Sequence, residues 1–283
     1  MDERDIYRRL AQAVEQDQPV TLCTVVMTRG SVPRRPGSKM LVYADGTFEG
    51  TVGGGELEFR VRQAAKEALQ DGRPRYLTYN MVDPKKGDPG VCGGEVHVYI
   101  EPVLPPPTLV VVGAGHVGKA VVHLGKWLGW KVVLCDPRAE WCNPERIPGA
   151  DAYLVIHPAQ IPEHLDITAR TYFVLVTPGT QIDIETLPVL LRTPARYIGV
   201  IGSQRRWATT RKALLEEKGV PQEQVDRVVS PIGLEIGAET PEEIALSIMA
   251  QVVGVYRGVL APETAPSTAS SRTHEALSVQ VSA

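Results

Sequence analysis

The run GDPGVCGGEVHVYIEP, from Gly87 to Pro102, sets one thiol, Cys92, between glycines at the mouth of an alternating strand pattern. Two uses of that residue fit: the chemistry of its sulfur, or a small side chain that fits a tight turn. Cys23, Cys92, Cys135 and Cys142 show no CxxC pairing and no spacing to histidine of the kind zinc sites use, so neither a structural metal nor a disulfide framework is expected. No GxSxG or HExxH motif is present, and His97, His116, His123, His157, His164 and His274 offer no defensible His/Asp pairing for proton transfer.

The segment GAGHVG fills a GxGxxG pattern with Gly113, Gly115 and Gly118, directly after an apolar run and before a helical one. Asp136 ends the next apolar run, about twenty residues on, where a ribose hydroxyl needs an acceptor. In that setting Gly113 permits the turn, Gly115 admits a pyrophosphate to the backbone, and Gly118 lets helix and sheet pack closely. The alternative is that these glycines serve packing alone. Arg138 is placed to accept a 2′-phosphate, which leaves NAD and NADP both open, and His116 is either near the phosphates or a solvated turn residue.

Two further loops carry paired guanidiniums. Gly30 to Gly37, GSVPRRPG, holds Arg34 and Arg35 between Pro33 and Pro36, which suits a phosphate or carboxylate as well as a solvated turn. Gly202, Ser203, Arg205 and Arg206 follow a strand pattern, at the ligand-facing edge of a parallel sheet. The trio Gly53, Gly54 and Gly55 precedes a helix, whose free amides favour an anion. Glu56 and Glu58 in the first turn oppose a phosphate; they either stabilise the helix or accept a hydrogen bond from a heterocycle.

These groups need elements to hold them. The chain has 283 residues, 43% of them apolar, enough for two modest cores, and a net charge of −3 that gives no footprint for nucleic acid or anionic membrane. Its start, MDERDIYRRL, is charged where a secretory signal is apolar, and no stretch has the roughly 20 apolar residues of a membrane span, so a cytoplasmic location is expected. Residues 1–101 read as a small α+β domain with an Asp45-Gly46 hairpin turn and a helix that stops at Asp71-Gly72. Residues 102–107 are a proline-rich linker. From 108 to 260 continuous apolar strands alternate with helices, the pattern of an α/β, doubly wound, Rossmann-type parallel sheet. Its last helix opens with Thr240 as N-cap, Pro241, and Glu243 at the capping-box position. Residues 261–283, rich in Ala, Ser, Thr and Pro, are expected to be disordered.

Taken in order, GSVPRRPGSKM, TVGGGELE, VCGG, VVGAGHVGKAVV, YIGVIGS and SPIGLEIGAETPEEIALSI resemble the XdhC/CoxI (CoxF) family of maturation factors, across residues 5 to 257. The resemblance implies an accessory protein, not an enzyme of hydroxylation. It would bind the molybdenum cofactor, as molybdopterin or its cytosine dinucleotide, and protect it during sulfuration with a cysteine desulfurase. It would then deliver it to an apo molybdenum hydroxylase of xanthine or carbon monoxide dehydrogenase type. By position, Cys92 matches the family's cysteine, and Arg34, Gly53, Gly54, Gly55 and Glu58 its N-terminal signature; Cys92 would ligate molybdenum or relay sulfur. The family also makes a homodimer an expectation. One departure stands out: where relatives carry Thr-His-Asp, this chain has Thr177, Pro178 and Gly179, with Asp183 further on. The rival reading is an NAD(P)-dependent oxidoreductase built on the GxGxxG domain.

Overall fold

The computed structural model describes residues 3–81, 89 and 93–262, and Cys92 and residues 263–283 lie outside them. The chain divides between Pro106 and Pro107 into two compact units.

In the first unit, five strands form an antiparallel sheet: β1 (Val20–Arg29), β2 (Lys39–Tyr43), β3 (Phe48–Gly50), β4 (Arg75–Met81) and β5 (Gly94–Val103), in the order β3-β2-β1-β5-β4. Strand alternation sends Cys23, Val25, Met40, Val42, Val98 and Ile100 to one face. There they meet Leu57, Val61, Ala65 and Ala68 of helix α2 (Gly55–Asp71). Val20, Leu41 and Tyr43 take the other face, under Ile6 and Ala13 of helix α1 (Glu3–Glu15). Each fully buried aliphatic side chain contributes about 1.5–3 kcal/mol, so the two helices fix the register of the sheet between them. The expected linker is shorter than the proline run suggests, because β5 continues through Pro102 to Val103. β4 pairs with β5 only as far as Ile100, so Pro102 lies where β5 has become an edge strand, a place that admits proline.

The second unit is a six-stranded parallel sheet in the order β11-β10-β9-β6-β7-β8. Its strands are β6 (Thr108–Val112), β7 (Lys131–Cys135), β8 (Ala152–Leu154), β9 (Thr171–Leu175), β10 (Tyr197–Val200) and β11 (Val228–Val229). Renumbered within the unit, this is the 3-2-1-4-5-6 order of a Rossmann sheet, whose switch point lies between β6 and β9. Leu109 and Val111 face a core closed by helices α3 (His116–Trp127) and α8 (Pro241–Tyr256), whereas Val110 and Val112 face one closed by α5 (Thr180–Leu190) and α6 (Gln204–Glu216). Two short helices, α4 (Ile161–His164) and α7 (Gln222–Asp226), complete the unit. Helix α8 begins as its sequence requires: the Glu243 amide donates to Thr240 Oγ1 at 3.2 Å, and Glu243 Oε2 accepts from the Thr240 amide at 3.0 Å. No helix among the described residues is long and apolar enough to cross a membrane.

Candidate functional site

In the first unit, three glycine segments far apart in sequence meet at one end of the sheet. A methyl group at Gly94 would collide with the backbone carbonyls of Arg29 and Ser31, and one at Gly30 would lie 3.1 Å from the Gly93 carbonyl oxygen. A methyl at Gly53 would lie 2.9 Å from Pro33 Cγ. The arginine loop is thereby seated between the glycine trio and the two glycines that follow Cys92. Cys92 itself, the sulfur and molybdenum contact expected from sequence, is outside the described residues. In the trio, Gly53, Gly54 and Gly55 take φ of 149°, 77° and 59°, a left-handed run that side chains resist, and lead into α2.

The acidic residues beside the trio are engaged locally. Glu58 Oε2 accepts from Thr51 Oγ1 at 2.6 Å, and Thr51 Oγ1 accepts from the Gly53 amide at 3.2 Å, so Glu58 positions the glycine turn through Thr51. Glu56 pairs with Arg60 at 2.9 Å. Arg34 is exposed and has no hydrogen bond or ion pair among the described residues; it lines a cavity of about 540 Å³ with Ser38, Lys39 and Thr51.

A polar cluster that the sequence reading missed sits on the far strands. His97, only 9% exposed, places Nε2 2.7 Å from Glu95 Oε1 and Nδ1 2.9 Å from the Tyr76 hydroxyl and 3.1 Å from Thr78 Oγ1. The signal was the i, i+2 spacing of Glu95 and His97 on one strand face, with Thr78 of β4 directly opposite His97 and Tyr76 diagonal to it.

In the second unit, the three glycines of GAGHVG have separable roles. A methyl at Gly113 would lie 2.6 Å from the Val176 carbonyl oxygen, and one at Gly118 would collide with the Gly113 carbonyl, so both are fixed by close packing. Gly115 has φ −77°, and a methyl there meets nothing within 4 Å. Nothing among the described residues requires glycine at 115, and the open space over the N-terminus of α3, which has no side-chain cap, is where an anionic ligand would approach. His116, the first residue of α3, is exposed.

Asp136 and Arg138 close on each other. Asp136 is 2% exposed, and each of its oxygens takes two donors. Oδ1 accepts from the Arg138 amide at 3.0 Å and Nε at 2.8 Å, and Oδ2 from the Ala114 amide at 2.8 Å and Arg138 Nη2 at 2.7 Å. Burial pushes this carboxyl up, but the hydrogen bonds from Arg138 and Ala114 outweigh it and hold it below the ordinary range. Four donors fill the acceptor capacity of a carboxylate, so a ribose hydroxyl would have to displace Arg138. Arg138 also lies 4.7 Å from the Trp141 ring, with Arg146 at 3.8 Å from the same ring.

Beyond β9, the departure from Thr-His-Asp has its own chemistry. Thr177 Oγ1 donates to Asp183 Oδ1 at 2.5 Å, and Arg206 Nη2 donates to Asp183 Oδ2 at 2.7 Å and to Thr177 Oγ1 at 2.9 Å. Both terminal nitrogens of Arg206 also reach the Thr177 carbonyl at 3.2 Å. Asp183 is fully buried, and burial raises its pKa despite the bonds from Thr177 and Arg206, which lower it. Of the paired arginines, Arg206 therefore ties β9 to α6, while Arg205 is exposed and has no side-chain partner among the described residues. Ser203 Oγ caps α6 by accepting from the Arg206 amide at 3.2 Å, and Gly202 gives the Arg206 side chain room, since a methyl there would lie 2.6 Å from Cδ.

Comparison with known proteins follows this division into units. Residues 109–252 match the family described as the XdhC Rossmann domain, and residues 13–80 the XdhC and CoxI family. Escherichia coli (strain K12) has a relative described as uncharacterized protein YqeB, 36% identical over 89% of this chain and 46% of its own length. A relative from Bacillus subtilis (strain 168), described as a probable xanthine dehydrogenase subunit, is 31% identical over 56% of this chain and 45% of its own length. The chain thus spans about half the length of these two relatives. The molybdenum cofactor insertion chaperone PaoD of Escherichia coli (strain K12) is 24% identical, over 90% of this chain and 89% of its own length. A crystal structure described as a xanthine dehydrogenase from Bacillus halodurans covers 91% of this chain and is itself covered to 96%, at 26% identity and a TM-score of 0.48. With the Rossmann-domain match spanning half of its residues and the N-terminal match lying in the other unit, the chain belongs to the XdhC and CoxI family.

Proposed function

We propose that this chain is a maturation factor that binds the molybdenum cofactor as cargo, supports its sulfuration, and delivers it to an apo molybdenum hydroxylase of xanthine dehydrogenase type. The observation that carries this reading is the convergence of the Gly30 loop, the glycine trio and Gly93-Gly94 at one sheet end, immediately beside the position of Cys92 in sequence. Close-packed glycine backbone and a guanidinium loop, with a thiol next in sequence to Gly93, suit a ligand with a soft metal-sulfur head and an anionic tail. The likeness to PaoD over nearly the full length of both chains supports the same reading. In it, Cys92 contacts molybdenum or its sulfur, a cysteine desulfurase supplies the sulfur, and the Rossmann unit contributes the open α3 terminus at Gly115, with Arg205 as an uncommitted cation. The chain works in the cytoplasm, where apo-hydroxylases are loaded, and as a homodimer. Asp136 weighs against the oxidoreductase reading, because Arg138 and Ala114 already fill the acceptor a nicotinamide dinucleotide would use.

The test is cofactor retention and transfer. Wild type loaded with the molybdenum cofactor is expected to keep stoichiometric molybdenum through gel filtration and to restore activity to apo-hydroxylase, whereas Cys92→Ser loses most of the transfer. Absence of bound molybdenum at saturating cofactor would overturn the proposal.

A further inference from the structure

We infer that the Tyr76 phenol is a nucleophilic modification site for activated acyl groups, with His97 as its base and Glu95 holding that base in place. The inference stands apart from the cofactor reading, because it uses strands β4 and β5 and no residue given a role in cargo binding.

The groups run in line from a carboxylate through an imidazole to a phenol. Glu95 Oε1 lies 2.7 Å from His97 Nε2, and a carboxylate only accepts, so Nε2 carries the proton. The neutral ring then offers one lone pair, on Nδ1. Two hydroxyls compete for it, Tyr76 at 2.9 Å and Thr78 Oγ1 at 3.1 Å. The phenol is the closer of the two and a stronger proton donor than an aliphatic alcohol, so Tyr76 is the better partner for Nδ1. A hydroxyl within reach of a base that a third group orients is the arrangement that activates a weak oxygen nucleophile.

Strand register fixes the base. His97 lies opposite Thr78 on β4 and Met27 on β1, and its side chain is 11% exposed, so the ring is bonded at both nitrogens and flanked on both sides. Arg29, opposite Glu95 on β1, brings Nη1 to 3.8 Å from the same Oε1 that faces His97. The other end of the line is open: Tyr76 is 58% exposed, with its ring centroid 5.7 Å from that of the imidazole. A sheltered base thus serves a phenol that a reagent in solution can reach. Tyr99 provides the contrast on the same face. It lies directly opposite Tyr76, is 37% exposed, and has no hydrogen bond from its hydroxyl among the described residues.

With an acyl donor the step balances as acyl transfer. The Tyr76 oxygen attacks the acyl carbon as its proton passes to His97 Nδ1, and Glu95 stabilises the imidazolium that forms. The bond to the leaving group then breaks, and the leaving group takes the proton from Nδ1. An aryl ester on Tyr76 remains, and nothing is oxidised or reduced. A phosphoryl donor would need cations around its oxygens. Here the carboxylate of Glu95 stands behind the base and Arg29 is already paired with it, so an uncharged acyl group is the reactant that fits.

Treatment of the full chain with N-acetylimidazole, followed by peptide mass spectrometry, reads each tyrosine separately. Tyr76 is expected to acetylate at least about tenfold faster than Tyr99, short of the roughly 10²–10⁴ of a fully positioned base because Thr78 competes for Nδ1. His97→Gln and Glu95→Gln should lower the Tyr76 rate towards that of Tyr99. Thr78→Val removes the competitor and should raise it. Tyr43, buried in the same unit, labels only if the sheet opens, which separates loss of the base from loss of the fold. If His97→Gln opens the sheet, Thr78→Val decides, since Thr78 is exposed. Equal rates at Tyr76 and Tyr99 in wild type would overturn the inference. So would a Tyr76 rate unchanged in His97→Gln or Glu95→Gln with Tyr43 protected, or one that fails to rise in Thr78→Val.

Discussion

Arg138 holds Asp136 with two parallel bonds, Nε to Oδ1 at 2.8 Å and Nη2 to Oδ2 at 2.7 Å, beneath the glycine turn of the Rossmann unit. The Ala114 amide completes the clamp. Asp136 is therefore a fastener for the loop, and the clamp sets three measurable expectations.

Arg138→Ala is expected to cost about 1–2 kcal/mol in urea unfolding, the lower range for charge-assisted bonds because the arginine side chain is 40% exposed and screened. Asp136 has a folded pKa below its unfolded one, so its contribution is present above the unfolded value and lost as pH falls through the folded value. The gap between wild type and Arg138→Ala should accordingly shrink on acidification. NAD(H) should give no saturable rise in Tm, whereas a dinucleotide at 100 times its Kd adds about 2.7 kcal/mol; such a rise in wild type would mean that Arg138 yields to ribose.

Arg206 poses the opposite case, a cation that neutralises a fully buried acid. Arg206→Met leaves Asp183 with Thr177 alone, and losing one member of a buried pair costs about 3–5 kcal/mol. The folded pKa of Asp183 is already raised by burial, and removing Arg206 takes away a bond that lowers it. A carboxyl with a raised folded pKa binds more protons folded than unfolded, so stability falls as pH rises from its unfolded to its folded value. Denaturation of Arg206→Met across that window should show the decline, and Arg206→Met with Asp183→Asn should flatten it.

The architecture was legible because its signals are local and periodic. Apolar runs alternating with helices imply a parallel sheet, the Thr240 to Glu243 pattern implies a capping box, and both are present. The polar networks were less legible, because their partners are distant in sequence. Asp183 and Arg206 are 23 residues apart and meet only through the order of β9 and β10. The pairing of Asp136 with Arg138 was not legible for another reason: two residues that each suit a ligand also suit one another, and spacing alone does not rank the two pairings. The His97 cluster needed the register of β4 against β5, which the alternation of RYLTYNM supports but does not set.

The thiols offer a clean chemical readout. Cys23 and Cys135 are fully buried and Cys142 is 2% exposed. Burial pushes the Cys23 thiol up to about 12; it does the same for Cys135, with added repulsion from Cys142 and Asp136. Burial also raises Cys142. Because the thiolate is the reactive form, native protein treated with iodoacetamide at neutral pH should leave all three unmodified, with any fast labelling confined to Cys92 and absent in Cys92→Ser. Modification of Cys23 or Cys135 in the native state, by mass spectrometry, would contradict this burial.

Gly115 and Gly118 separate ligand access from packing within one motif. At Gly118 an added methyl collides with the Gly113 carbonyl oxygen, a backbone atom that cannot move without shifting β6, so Gly118→Ala should cost about 1–3 kcal/mol as an overpacking change. At Gly115 the backbone is extended and the methyl meets nothing within 4 Å. Alanine is a poorer N-cap than glycine, but it also narrows the unfolded ensemble by about 0.4–1 kcal/mol, and the two effects nearly cancel. Gly115→Ala should therefore unfold like wild type while its methyl obstructs whatever anion approaches the α3 amides. If it binds phosphate-bearing ligands as wild type does, the α3 terminus takes no part in binding them.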